Sequence, residues 1–275
     1  MTAQAETTKK CGGCSSSGCN TAQLTKLGIK VRNWDYVVAL AGNPNTGKST
    51  IFNALTGLRQ HVGNWAGKTV ARAEGAFDNG GSKYKLVDLP GTYSLLSTSV
   101  DEEIARDFVL FGKPDVTVIV ADATCLERSL HLVLQVLEIT GSAVVALNLM
   151  DEAKRNGLTI DVRELTRELG VPVVPMAARR GEGVSELLAA IGNVASSKIS
   201  VRPHQVRYED EKLESAIGIL AKQLRETFKD LPNARWVALR LLEGDESIIN
   251  AIRTQSLGGI RTQTYLPQLE VSEAR

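Results

Sequence analysis

A chain of 275 residues with 43% hydrophobic and 23% charged positions has the make-up of a globular protein with a sizeable core, which excludes global disorder. Lys and Arg number 32 against 31 Asp and Glu, a formal charge of +1, so no overall basic field exists to hold a nucleic-acid backbone. No uncharged stretch reaches the ~18 residues of a membrane-spanning helix, and the N-terminus lacks a basic start followed by an apolar block, so the chain is expected neither to span a membrane nor to be secreted.

Residues 1–33 are rich in Ser, Gly, Thr and Lys and have almost no apolar periodicity. They read as a flexible arm around Cys11, Cys14 and Cys19. With Cys125 far off, this is not a disulfide framework. Three thiols leave one position of a tetrahedral site unfilled, and C-x2-C alone suits redox and metal chemistry equally. Iron or zinc binding, a redox pair and an inert arm therefore stay open.

From Tyr36 onward, short β-branched runs alternate with helical patterns. Strands are expected at 36–40, 83–88, 116–121, 143–148 and 171–175, and helices at 48–56, 99–111, 126–140, 161–169 and 183–194. Most of the strands are apolar on both faces, as a central parallel sheet requires. The expected fold is α/β, a P-loop type, doubly wound, mostly parallel sheet over 34–200. A small all-α domain over 201–262 follows, with amphipathic stretches at 208–228 and 234–253, and then a tail over 263–275.

The first strand runs into Gly42, Asn43, Pro44, Asn45, Thr46, Gly47, Lys48 and Ser49, which fit G-x-x-x-x-G-K-[ST] at every fixed position, and continues through Thr50 as a helix. Such a loop points backbone N–H groups at phosphates, with Lys48 on the β and γ phosphates and Ser49 on Mg²⁺. The second strand ends in Asp88, Leu89, Pro90 and Gly91, where the carboxylate suits Mg²⁺ and the Gly91 N–H a γ-phosphate. Asn148, Leu149, Met150 and Asp151 close a later strand at the edge where open α/β sheets bind ligands. Asp151 can accept from guanine N1–H and N2–H, which adenine cannot supply, while Asn148 suits the purine N7 side. Ala177 and Ala178 follow the last strand, where a backbone N–H suits guanine O6. Between the first two motifs, the polar loop 62–70 carries Gly67, Lys68 and Thr69. Thr69 is the candidate hydroxyl for Mg²⁺ in a γ-phosphate-gated switch.

These stretches resemble the N-terminal cytoplasmic region of FeoB-type ferrous iron transporters over about 36–260. The marks are GNPNTGKSTIFNALTG at 42–57, VGNWAGKTV at 62–70, DLPGTYSL at 88–95, DATCLERSL at 122–130, NLMD at 148–151 and ARWVALRLLEGD at 234–245. The resemblance implies a Ras-like GTPase domain, a helical domain that influences nucleotide affinity, and a membrane-embedded iron permease domain as partner, with small accessory transporter subunits and no nucleic acid. It places the chain at the cytoplasmic face of the bacterial inner membrane and leaves the oligomeric state open. It implies GTP and GDP with Mg²⁺, and a slow hydrolysis in which K⁺, held partly by Asn45, assists. Thr92 stands where Ras-like enzymes carry a water-orienting glutamine, so the expected catalytic groups are Lys48, Asn45, Thr69 and Gly91. Water positioning then falls to backbone groups of the 62–70 loop. The chain departs from the family pattern with Ala66, Lys68 and Ala71 in place of Pro, Val and Glu, and with Ala177-Ala178 in place of Ser-Ala. The competing expectation is a free-standing ribosome- or RNA-linked GTPase, against which the near-zero charge counts.

Overall fold

The computed structural model describes residues 24, 29, 34–57, 60–65, 68–96, 99–199, 201–204, 209–228, 231 and 233–253. The chain divides into two compact units, Met1–Arg207 and Tyr208–Arg275.

The first unit runs β1 (Tyr36–Gly42), α1 (Lys48–Thr56), β2 (Gln60–Asn64), β3 (Ala71–Asn79), β4 (Ser82–Asp88) and α2 (Val100–Asp107), the last passing into a π-helical turn at Phe108–Gly112. Then follow β5 (Val116–Asp122), α3 (Leu126–Ile139), β6 (Ala143–Asn148), α4 (Met150–Arg155), α5 (Val162–Leu169), β7 (Val173–Pro175) and α6 (Val184–Ala195). The seven strands lie in the order β2-β3-β4-β1-β5-β6-β7. Strands β4, β1, β5, β6 and β7 are parallel, and β2 and β3 add an antiparallel edge.

Strand β6 and nearly all of β1 and β5 are buried on both faces, because helices cover both sides of a parallel sheet. Val38, Leu40, Val118, Val120, Val144 and Ala146 form the centre of the core. Strand order reverses beside β1, which has β4 on one side and β5 on the other. Such a reversal opens a crevice at the carboxyl ends of the strands.

Strands β2 and β3 correct the sequence reading, which placed a loop over 62–70 and no strand between 40 and 83. The reason is composition: ARAEGAFDN is rich in Ala, Gly and charge, all depleted in strands. Its charges are satisfied in place. Arg72 Nε lies 2.7 Å from Glu74 Oε1, Lys85 of β4 pairs with the other oxygen of Glu74, and all three side chains are largely buried. Gly75 lets α1 settle on β3, since a Cβ there would lie 2.3 Å from Thr56 Cγ2. The short helix α4 is a second addition. Within the expected arm, Leu24 and Ile29 are buried, at 2% and 0% exposed.

Helix starts follow local chemistry. Ser99 caps α2 by accepting the Glu102 N–H, ahead of an acidic first turn, and Asp161 accepts from the N–H groups of Arg163 and Glu164.

The second unit contains α7 (Glu211–Thr227), α8 (Ala234–Leu242) and α9 (Glu246–Arg253). The single stretch expected at 234–253 is two helices, broken where Gly244 takes φ 77°. Arg235 of α8 grips Glu214 of α7 with both Nη atoms at 2.8 Å. Among the described residues, no helix is long and apolar enough to cross a membrane.

Candidate nucleotide site

β1 delivers Gly42 to the sheet's carboxyl edge, and the chain turns through 43–47 before α1 begins at Lys48. Two residues make that turn in the left-handed region: Asn45 at φ 65° and Gly47 at φ 84°. Asn is among the few side-chain-bearing residues that enter it readily. Inside the turn, Thr46 Oγ1 donates to the Asn43 carbonyl at 2.9 Å. The loop residues Asn43, Pro44, Asn45 and Gly47, with Lys48, Ser49, Thr50 and Gly91, line an open cavity of about 470 Å³.

Asp88 at the end of β4 meets Lys48 here, with Nζ 2.5 Å from Oδ1. Burial pushes the Asp88 carboxyl above the usual carboxylate range, while the Lys48 charge and hydrogen bond pull it back in part. Gly91 packs closely on the loop, since a Cβ there would stand 3.4 Å from the Pro44 backbone. Thr92 is buried, and its N–H donates to the Gly42 carbonyl at 3.3 Å. Thr92 is not among the residues that line the cavity.

Asn148 ends β6 beside Asp122 of β5. Its side chain is 2% exposed and both ends of the amide are engaged: Nδ2 donates to the Thr46 carbonyl at 2.9 Å, and Oδ1 accepts from the Ala178 N–H at 3.0 Å. It therefore braces the phosphate loop against the segment after β7. The Ala177 N–H is also spent within the protein, on the Glu182 carbonyl at 3.1 Å. Leu149 turns the chain at φ 63°, Met150 N–H donates to the Met176 carbonyl at 3.0 Å, and Asp151 sits half-buried in the first turn of α4.

The expected switch loop begins as strand. Val62, Gly63 and Asn64 belong to β2, and the turn beyond is closed by Trp65 N–H on the Val70 carbonyl at 3.0 Å. Trp65 is buried, edge-on to Phe108 with centroids 5.5 Å apart, and the Arg72 guanidinium lies 5.4 Å from its ring. Thr69 is exposed. Gly67, Ala66, Cys11, Cys14 and Cys19 lie outside the described residues. Among the described residues, no group of three or more His, Cys, Asp or Glu is arranged to hold a metal. Ser49 and Asp88 still offer hard oxygen donors at the cavity, the chemistry Mg²⁺ takes when phosphates and water complete its shell.

The segment after Gly91 has supports that sequence reasoning did not assign. Gln135 Oε1 accepts the Leu95 N–H at 2.7 Å, and the Arg128 guanidinium stacks 4.1 Å from the Tyr93 ring centroid. Arg128 falls inside the stretch 122–130 already singled out, but its role shows only when α3 is laid beside 93–95.

A glycine-rich loop between a central strand and a helix, its lysine meeting an aspartate from the adjacent strand, defines a P-loop protein of the GTPase type. The family model for ferrous iron transport protein B matches residues 36–191, and that for the FeoB cytosolic helical domain matches 210–266. The chain belongs to the ferrous iron transport protein B family. The Fe(2+) transporter FeoB of Escherichia coli (strain K12) is 44% identical over 250 residues, covering 86% of this chain and 31% of that protein. The Salmonella typhi transporter is 41% identical over 251 residues. The chain thus spans about a third of the length of the curated relatives it matches. Among solved structures, the cytosolic domain of the T. maritima FeoB iron transporter in GMPPNP form is 42% identical with a TM-score of 0.73, covering 86% of this chain and 89% of that one. Its GDP form II gives 42% and 0.72, and the cytosolic domain of L. pneumophila FeoB gives 37% and 0.72.

Proposed function

We propose that this chain binds GTP and GDP with Mg²⁺, hydrolyses GTP, and serves as the regulatory GTPase region of a ferrous iron transporter whose permease lies in the membrane. Residues 34–200 are the GTPase domain, 201–262 the helical domain that tunes nucleotide affinity, 1–33 an N-terminal arm and 263–275 a tail toward the permease. The observation that carries the reading is the loop-lined cavity, walled by Lys48 and Gly91, with Asp88 held on Lys48. The printed names of the relatives, transporters of Fe²⁺ and cytosolic domains with GDP or GMPPNP, support it. An RNA-linked GTPase is not favoured, because both matching family models are those of this transporter.

The chain's own residues supply positioning and charge. On nucleotide entry Lys48 exchanges the Asp88 carboxylate for phosphate oxygens, which frees Asp88 toward the metal side of the cavity. Backbone N–H groups of 43–48 hold the phosphates, and the Gly91 N–H meets the γ-phosphate. Ser49, Asp88 and Thr69 would hold Mg²⁺, which would supply positive charge to the phosphates. Asn45, lining the same cavity, is the proposed contact for K⁺. Backbone groups of 62–70 orient the attacking water, since Thr92 does not.

Nucleotide titration tests the reading. Wild type binds GDP and GTP well above ATP, and Asp151→Asn moves preference toward xanthine nucleotides, because an amide donates where the carboxylate only accepts. Equal affinity for ATP and GTP refutes the assignment of Asp151, and no release of phosphate from GTP refutes the enzyme.

A further inference from the structure

The loop bearing Thr69 is pinned to a helix that plays no part in the nucleotide chemistry described above. Lys68 Nζ lies 2.8 Å from Glu103 Oε2 on α2, and both side chains are 37% exposed. One helical turn on, Trp65 rests edge-on against Phe108, where α2 passes into its π-helical turn. Between these two contacts stands Asp107, whose carboxyl burial pushes above the usual range; Arg106 opposes this, and Glu103 and Lys68 act on it more weakly in opposite senses. Lys68, Glu103, Asp107 and Arg106 therefore form one charge cluster under the loop.

The loop closes on itself as well. Trp65 N–H donates to the Val70 carbonyl and Lys68 N–H to the Trp65 carbonyl, each at 3.0 Å. Thr69 sits between Lys68 and Val70, flanked by anchors on both sides, with its own residue exposed.

We propose that Glu103 is a positioning residue: by holding Lys68 it sets the loop so that Thr69 is presented to the γ-phosphate and its metal. The proposal rests on the functional reading above. A loop held in place before its ligand arrives gives up less freedom on binding, which appears as affinity. Only a γ-phosphate state engages Thr69, so the effect falls on the triphosphate and not on GDP. The π-helical turn that seats Trp65 is of a kind found frequently at functional sites.

The test compares GDP and GMPPNP affinities in excess Mg²⁺ for wild type, Glu103→Gln, Lys68→Val and the exchanged pair Lys68→Glu/Glu103→Lys. Half-exposed ion pairs are modest, so Glu103→Gln weakens GMPPNP by about two- to fivefold. GDP affinity stays unchanged, which also shows that the variant folds. The double variant recovers the wild-type ratio. An unchanged GMPPNP-to-GDP ratio in Glu103→Gln, or a ratio not restored by the exchanged pair, overturns the proposal while leaving nucleotide binding intact. Wild type that binds neither nucleotide overturns the functional reading itself, and this proposal with it.

Discussion

Asn148→Ala is the perturbation that the site geometry prices most directly. The amide is 2% exposed and joins the Thr46 carbonyl at 2.9 Å to the Ala178 N–H at 3.0 Å. Thr46 and Ala178 are themselves only 2% and 6% exposed, so water does not readily take over either bond. An orphaned buried donor or acceptor costs ~1–3 kcal/mol, and two of them together cost about 2–6 kcal/mol, a large part of a typical domain's stability. Gly47 supplies an internal control. A Cβ at position 47 would stand 2.3 Å from Asn148 Nδ2, and the φ of 84° is in the left-handed region. Gly47→Ala therefore carries two separate costs: a backbone cost of ~1–2 kcal/mol and a clash with the Asn148 amide. Asn148→Ala removes the clash and leaves the backbone cost. Urea unfolding of wild type, both single variants and the double variant, without nucleotide, gives the coupling. The double variant is expected to be more stable than the sum of the singles predicts by at least ~1 kcal/mol. A cost for Asn148→Ala below ~1 kcal/mol, or additive costs, refutes the brace.

Two further predictions rest on other parts of the molecule. Burial pushes the Asp115 carboxyl above the usual range, against the pull of the Val37 N–H that Oδ2 accepts at 2.7 Å. Because the folded state holds this proton more tightly than the unfolded chain, stability falls as pH rises from the ordinary carboxylate range through the raised one. Asp115→Asn keeps an acceptor for Val37 and removes the charge, so its denaturation midpoint exceeds wild type at neutral pH. The gap closes on acidification, and a gap that widens there contradicts the assignment. GTP hydrolysis is expected to run faster in K⁺ than in Na⁺ at equal ionic strength. Asn45→Gly erases most of that difference while keeping the left-handed φ of 65° accessible, so it removes the oxygen without straining the loop. Equal wild-type rates in the two salts contradict it.

Residues whose type is demanded by their own backbone were the legible ones. Gly47 in the phosphate loop must be glycine because of its φ and because Asn148 occupies the space of a Cβ. The runs of β1, β5 and β6 must be apolar because both faces are covered. Such positions announce themselves in a single sequence. The contacts that were missed are set by partners far along the chain. Asn148 reads as a base contact in N-x-x-D, and its bracing role is invisible there because its protein partners lie 102 and 30 residues away. Arg72, Glu74 and Lys85 look like surface charge in a weak strand former, and become interior only because each neutralises another across β3 and β4. Leu24 and Ile29 are too isolated to show a period, so the core they enter left no pattern to read. Lys68 belongs to the same class. In the sequence it is a departure from the family pattern, and its partner shows only once Glu103, 35 residues on, is found 2.8 Å from its ammonium. A departure from a family pattern is therefore interpretable only together with the residue it meets, and that partner is fixed by the fold.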